Sequence, residues 1–250
     1  MELYIVRHGN TPSDGDKQFP DDPRLTALGE SQAMALSVRL QNVRFDRIFA
    51  SPLQRCVQTI APLAQKQNTA VQLLPALLEK GTKANYSGLP FSVLKGICPT
   101  LQEHSCTLFE KGLPSFESDE TAFERAKAVI AFVRSQCADD DTVLLVAHGT
   151  FNNFLIHAAL GFTPREDFNF SQDNTGLTLV RYLTDNGTER TKLAFMNDTT
   201  HCSNLYGVQN ESYSSIQSSC QNMGGCLAAR LGQTRCHGFW RYKNRKITAQ

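Results

Sequence analysis

The chain has 250 residues, 41% of them hydrophobic and 20% charged, with 15 Phe and a single Trp, a composition that excludes a fibrous or wholly disordered polymer. A formal net charge of +1 excludes the strong basic excess of proteins built to hold nucleic acid or an anionic membrane. No run approaches the roughly 18 apolar residues of a membrane span, and no charged leader with a long apolar stretch precedes the first β-rich run, so the expectation is a cytoplasmic protein.

Leu3-Tyr4-Ile5-Val6 reads as a short buried strand that opens into a loop at Arg7-His8-Gly9, because a continuous apolar run of this length suits a strand covered on both faces. From Leu28 the spacing changes to three and four residues, at Ala33, Leu36, Leu40 and Val43, which predicts an amphipathic helix with Thr26 near its N-cap. Arg47-Ile48-Phe49-Ala50 reads as a second strand. Ser51-Pro52 then supplies a capping hydroxyl before a proline at the first helical position, and Val57, Ile60, Leu63 and Ala64 continue a helix face. Val71 to Leu74 is a third strand, stopped by Pro75. Between Glu79 and Ser118, Gly and Pro recur at short intervals (Gly81, Gly88, Pro90, Gly96, Pro99, Gly112, Pro114), predicting an irregular lid insertion with short helices. Ala126, Val129, Ile130, Val133 and Cys137 predict another helix, and Thr142 to Val146 a central strand, with a further helix beginning just beyond His148-Gly149. Leu177 to Leu183 and Lys192 to Met196 flank an Asp185-Asn186-Gly187 turn, hence a hairpin at one sheet edge. Alternating strands and helices predict a doubly wound α/β fold, a mostly parallel sheet flanked by helices.

In such a sheet, reactive groups collect where the carboxyl ends of parallel strands open into loops. Arg7-His8 follows the first strand, His148 follows the Val143–Val146 run, and Arg55 sits in the first turn of the helix after the second strand. Two arginines and two histidines at three strand ends make a cationic pocket suited to a phosphoryl group. Guanidinium forks bind phosphate oxygens bidentately, and a neutral imidazole can attack phosphorus and carry the group covalently.

Four segments in order, Arg7-His8-Gly9-Asn10-Thr11, Leu25-Thr26-Ala27-Leu28-Gly29 with Gln32-Ala33, Ser51-Pro52-Leu53-Gln54-Arg55 with Thr59, and Val146-Ala147-His148-Gly149, resemble the motifs of the histidine phosphatase (phosphoglycerate mutase-like) superfamily. The resemblance runs over about residues 2 to 201 and ends at Asn197-Asp198-Thr199-Thr200-His201, similar to a closing motif of many members. It implies His8 as nucleophile, Arg7 and Arg55 as phosphate clamps, His148 as a further phosphate ligand, and Asn10 as a lesser contact. It also implies a carboxylic acid that protonates the leaving oxygen, for which Glu79 stands in the expected place. Members commonly carry a Gly-acid-aromatic-acid-Gly segment soon after that acid; here Ala84-Asn85-Tyr86-Ser87-Gly88 takes its place. Glu103 and Glu117 are alternative carboxylates in the same insertion. His104, His157 and His237 have no comparable context, and His201 is read as closing the fold.

A boundary is read near residue 201, giving a phosphatase domain over 1–201 and a Cys-containing extension over 202–250. That extension carries six Lys and Arg against the single acid Glu211, with Phe239, Trp240 and Tyr242 among them, and half of the eight cysteines; it reads as a solvated, poorly ordered tail. Cys56, Cys98, Cys106 and Cys137 lie in apolar stretches and behave as small hydrophobes, which suits a reducing compartment. No HExxH or paired CxxC occurs in the first 201 residues, and the spacing of Cys220, Cys226, Cys236 and His237 does not match common structural zinc sites, so no metal or other cofactor is expected. The function implied is a metal-independent phosphomonoesterase acting on a small phosphorylated metabolite. The alternatives are mutase-type phosphoryl transfer to a bound acceptor and a non-catalytic phosphate-binding protein.

Overall fold

The computed structural model describes residues 1–13, 15–82, 85–102, 113 and 117–205. Their strands are β1 (Glu2–Arg7), β2 (Arg47–Ala50), β3 (Val71–Leu73), β4 (Leu101–Gln102), β5 (Thr142–Ala147), β6 (Leu177–Asp185) and β7 (Thr188–Asp198). They form one mixed sheet in the order β4-β3-β2-β5-β1-β6-β7. The pairs from β4 across to β1 are parallel, while β6 runs antiparallel to β1 and β7 to β6. The helices are α1 (Ala27–Arg39), α2 (Gln54–Gln67), α3 (Phe91–Ile97), α4 (Asp119–Gln136) and α5 (Gly149–Leu160).

Alternation along the central strands sends side chains to two separate cores. Leu3, Ile5, Val143 and Leu145 pack with Ala126, Val129 and Val133 of α4 and Phe151 and Leu155 of α5. Tyr4, Val6, Leu144 and Val146 pack with Leu36 of α1 and Cys56, Val57 and Ile60 of α2. A strand covered on both faces has no solvent side, which is why β1 and β5 read as unbroken apolar runs. Each fully buried Leu, Ile or Val contributes roughly 1.5–3 kcal/mol of burial free energy, so the sheet centre is the stable frame from which the loops project. Among the described residues no helix is long and apolar enough to cross a membrane.

The expected elements recur, with informative differences. The hairpin turn is Asn186-Gly187, both with positive φ (49° and 76°), joining Asp185 to Thr188 as a two-residue turn of this kind demands. Thr26 caps α1 by accepting from the Gly29 amide. The cap expected at Ser51 is absent: α2 begins at Gln54 behind Leu53, which makes no side-chain cap. The described part of the 79–118 insertion contains the short helix α3, as expected, and also β4, whose register against β3 pairs Val71 with Leu101. Two residues carry no periodicity, so this strand exists only through its pairing. Cys202 lies in a 3-10 turn (Thr200–Cys202) and is fully buried beside Thr175, so packing continues past residue 201. Cys220, Cys226, Cys236 and the basic cluster of the expected tail fall in 206–250, outside the described residues.

The loop after β1 is pressed onto the first turn of α1. The Thr26 amide donates to the Asn10 carbonyl (3.0 Å), and a Cβ added to Gly29 would meet that carbonyl oxygen at 2.2 Å and the Asn10 nitrogen at 2.9 Å. In an exposed helix interior Gly→Ala gains up to about 1 kcal/mol. Here the neighbour is backbone, and Gly29→Ala is expected to reverse that sign and destabilise by about 1–3 kcal/mol. Urea unfolding checks it, with unchanged stability meaning that the Asn10 loop moves freely away.

Candidate active site

Parallel register brings the reactive residues together. Arg7 pairs with Ala147, and Ala50 with Val146, so β1, β5 and β2 end at the same level. The next residues, His8, His148 and Ser51, are bound across the strand ends: the His8 amide donates to Ala147 O (3.0 Å) and the Ser51 amide to Val146 O (2.9 Å). The two imidazole rings lie edge to face with centroids 5.2 Å apart.

His8 is buried, with Nδ1 2.7 Å from the Gly9 carbonyl. A carbonyl only accepts, so Nδ1 holds the proton and Nε2 carries the lone pair. Burial, reinforced by the positive charges of Arg55 and Arg7, lowers the His8 pKa to about 3 against the bond to Gly9. The ring is therefore neutral at physiological pH, as a nucleophile requires. His148 is fully buried and shares a hydrogen bond with the Ser51 hydroxyl (2.8 Å); burial first, then Arg55 and His8, hold it well below the ordinary histidine range.

Arg7 donates from Nη1 to the Gln172 carbonyl (2.8 Å), while its buried Nε has no hydrogen-bond partner. A buried unpaired donor is costly, and an anionic oxygen is the partner that best relieves it. The same loop after α5 grips the backbone: Asn174 Nδ2 donates to His8 O (3.0 Å) and the Thr175 amide to Arg7 O (3.0 Å). Arg55, the second residue of α2, donates from Nη1 to Asp22 (3.2 Å), whose side chain is 1% exposed. Its backbone carbonyl accepts from Thr59, whose hydroxyl oxygen accepts from the Gly9 amide (2.9 Å). Asn10 is tied to α1, its Oδ1 accepting from Thr26 (2.7 Å), so the group suited to an anion is its Nδ2 amide.

Glu79 follows the 3-10 turn (Pro75–Leu77) after β3. Its carboxylate accepts from the amides of Phe151 (2.8 Å), Thr150 (3.2 Å) and Lys80 (2.9 Å), and so caps α5, whose own N-cap residue His148 makes no side-chain cap. Burial raises its pKa, outweighing those amides and the charge of Arg55. Glu117 is fully engaged by Arg125, and Glu103 lies outside the described residues, as do His104 and His237. His157 donates to Asn153 O within α5 (2.9 Å), against the rings of Phe168 and Phe170; His201 bonds Thr175 (3.1 Å). His157 is remote from the strand ends in its bonding, whereas His201 reaches the end of β1 through Thr175, whose amide donates to Arg7 O. Among the described residues no group of three or more His, Cys, Asp or Glu is placed to hold a metal ion.

A family model, the histidine phosphatase superfamily (branch 1), matches residues 3–198. The chain belongs to that superfamily. This histidine phosphatase is 27% identical over 188 residues to the Probable phosphoglycerate mutase GpmB of Yersinia enterocolitica, covering 73% of this chain and 85% of that one. It is 25% identical over 195 residues to a broad-specificity phosphatase of Saccharomyces cerevisiae, covering 74% and 81%. In fold it is similar to phosphoserine phosphatase of Entamoeba histolytica solved with 3-phosphoglyceric acid (TM-score 0.55, 23% identity, 80% of this chain and 98% of that one).

Several residues of this candidate site are not evident in sequence. Ser51 reads as a helix cap and instead serves His148. Gln172 and Asn174 reach β1 across some 165 residues of chain, a distance that no local pattern encodes. Asp22 lies in Asp21-Asp22-Pro23, which looks like a surface turn, yet it holds Arg55 and accepts from the Gln54 amide (2.8 Å), capping α2 from outside. Burial pushes the Asp22 carboxyl up to about 6 against Gln54 and Arg55.

A carboxyl whose folded pKa lies above its unfolded value holds its proton more tightly when folded, so ionising it costs stability as pH rises through that interval. For Asp22 the interval runs from the ordinary 3.8 to about 6. Asp22→Asn removes this cost and keeps an acceptor for the Gln54 amide. The Tm of the variant minus that of the parent is expected to be more positive at pH about 7.5 than at about 4.5; a difference independent of pH would mean that Asp22 does not titrate there.

Proposed function

We propose that the protein is a metal-independent phosphomonoesterase that hydrolyses a small phosphorylated metabolite through a phosphohistidine on His8. The observation that carries this reading is the His8 tautomer: with Nδ1 bonded to Gly9 O (2.7 Å), the lone pair on Nε2 is free for attack at phosphorus. Arg7 and Arg55 supply the positive charge that phosphoryl transfer needs. The unpaired Nε of Arg7 and the engaged Nη1 of both guanidiniums support donors already oriented for phosphate oxygens. His148, fixed by Ser51, is a further ligand, and Asn10 a lesser one.

In the first half-reaction His8 Nε2 forms a bond to phosphorus, the bond to the leaving oxygen breaks, and Glu79 gives that oxygen its proton. In the second, the Glu79 carboxylate takes a proton from water as the water oxygen attacks phosphorus. The P–N bond breaks, returning neutral His8, protonated Glu79 and inorganic phosphate. The raised Glu79 pKa suits the first role, since a general acid must still hold its proton at the working pH. The basic limb of kcat/KM is accordingly expected above the ordinary carboxylate range, and the acid limb from His8 protonation near pH 3.

Mutase-type transfer needs a bound acceptor held in added positive charge. In the described insertion Lys80 pairs with Asp119 and Lys95 with the Leu101 carbonyl, which favours water as acceptor. The buried, unpaired thiols of Cys56 and Cys98 suit a reducing compartment such as the cytoplasm. Phosphate release from a panel of phosphomonoesters, unchanged by EDTA, tests the reading; no release from any of them would leave phosphate binding alone.

His8→Ala is expected to abolish turnover with the fold intact. Rapid quench with labelled substrate should trap an acid-labile phosphoenzyme in the parent and none in the variant, and equal turnover in both would remove His8 from the mechanism. Glu79→Gln is expected to lower kcat/KM for an alkyl phosphate by about 100-fold or more, the scale of general acid catalysis, and for an aryl phosphate with an acidic phenol much less, since kcat/KM does not contain the dephosphorylation that Glu79 serves as base for both. Equal slowing of the two would make Glu79 a helix cap only.

A further inference from the structure

Arg125, near the middle of α4, is a charge in the interior. Its side chain is 1% exposed and that of its partner Glu117 4%. Burying such a pair gains little stability over apolar residues of the same volume and is costly if imperfectly satisfied. Here satisfaction is extensive. Nε donates to Glu117 Oε1 and Nη2 to Oε2, both at 2.7 Å, a bidentate fork. Nη1 donates to the carbonyls of Ala76 (2.7 Å) and Leu78 (2.8 Å). The guanidinium carbon lies 3.7 Å from the centroid of the Phe151 ring.

Those contacts converge on one object. Ala76 and Leu78 belong to the segment that delivers Glu79, with Leu78 immediately before it. Phe151 is the residue whose amide donates to Glu79 Oε1. One planar group thus holds both the chain that carries the carboxylate and the first turn of the helix that receives it, while touching neither the carboxylate nor the strand-end imidazoles through any hydrogen bond. We propose that the Arg125–Glu117 ion pair is a positioning element for Glu79, fixing its carboxylate at the start of α5 so that proton donation to the leaving oxygen is aligned. The inference rests on the reading of Glu79 as general acid.

Two other roles make different demands. A purely structural pair would, when weakened, slow every substrate through a loosened pocket. A pair acting through its field would do the same, since a changed potential at His148, which feels Arg125, alters attack at phosphorus whatever the leaving group. Only misalignment of the acid is selective for poor leaving groups in phosphoryl transfer to His8, because a good one departs without a proton.

The test uses Arg125→Lys, which keeps the charge and loses the fork, Glu117→Gln, which keeps one acceptor oxygen and loses the charge, Glu79→Gln, and the double variant Arg125→Lys/Glu79→Gln. Circular dichroism and thermal unfolding establish folding, and kcat/KM, which reports phosphoryl transfer to His8 and not the dephosphorylation that follows, is measured on an alkyl phosphate and on a nitrophenyl phosphate. Arg125→Lys is expected to slow the alkyl ester about tenfold or more and the aryl ester less than about threefold, with no further loss on the alkyl ester in the Glu79→Gln background. Equal slowing of the two esters, no slowing of either, or a full additional loss in the double variant overturns the proposal. If Arg125→Lys does not fold, Glu117→Gln is read by the same criteria. Failure of both to fold assigns the pair to stability alone, which also overturns it. If Glu79→Gln is selective and the Arg125 and Glu117 variants are not, this inference fails while the acid stands. If Glu79→Gln itself is unselective, the acid reading fails and takes the inference with it.

Discussion

The parallel register of β1, β5 and β2 is the constraint on which the site depends. Pairing Arg7 with Ala147 and Ala50 with Val146 fixes where three strands stop, and the residues that follow them have little choice of position. A slip of one residue in any of these pairs would turn every side chain of that strand to the opposite core. The two cores penalise that error with the burial of whole layers, so the hydrophobic effect on either face of the sheet sets the separation of the two imidazoles. The chemistry is held in place by residues that never approach it.

A second pattern recurs at the helices that leave those strands. Neither α2 nor α5 has a side-chain cap from its own N-cap residue. Each takes one from a distant carboxylate, Asp22 for α2 and Glu79 for α5. A helix N-terminus leaves amides without intrahelical partners, and these two carboxyls supply the acceptors. There each meets the pocket: Asp22 pairs with Arg55, and Glu79 stands beside Thr150 at the start of the helix that follows His148. Capping and site construction are the same set of hydrogen bonds.

The electrostatic balance is correspondingly specific. Two guanidiniums surround imidazoles that burial keeps from gaining a proton. In the proposed reaction that positive charge meets the incoming anion, while the nearby nitrogen base stays neutral. Arg125 adds a third guanidinium in the interior, paired with Glu117 and donating to the Ala76 and Leu78 carbonyls, so its donors are already engaged within the protein.

What the sequence determined by itself is local. Unbroken apolar runs at Leu3–Val6 and Val143–Val146 specify strands buried on both faces, three- and four-residue spacing specifies the helices packed on them, and Asn186-Gly187 specifies a two-residue hairpin turn because both positions take positive φ. The basic and imidazole residues near strand ends, with their ordered motifs, were legible for the same reason: Arg7 ends β1, His8 and His148 directly follow β1 and β5, and Arg55 lies in the first turn of the helix after β2. The tertiary structure alone decided the rest, since the partners concerned are remote in the chain. Ser51 looks like a cap and bonds His148; Asp22 looks like a turn residue and is a buried partner of Arg55; Gln172 and Asn174 give no signal and hold Arg7 and His8; β4 exists only by pairing with β3. Hydrogen bonds across such separations depend on the sheet register and helix packing, and no periodicity or composition of a single segment carries that information.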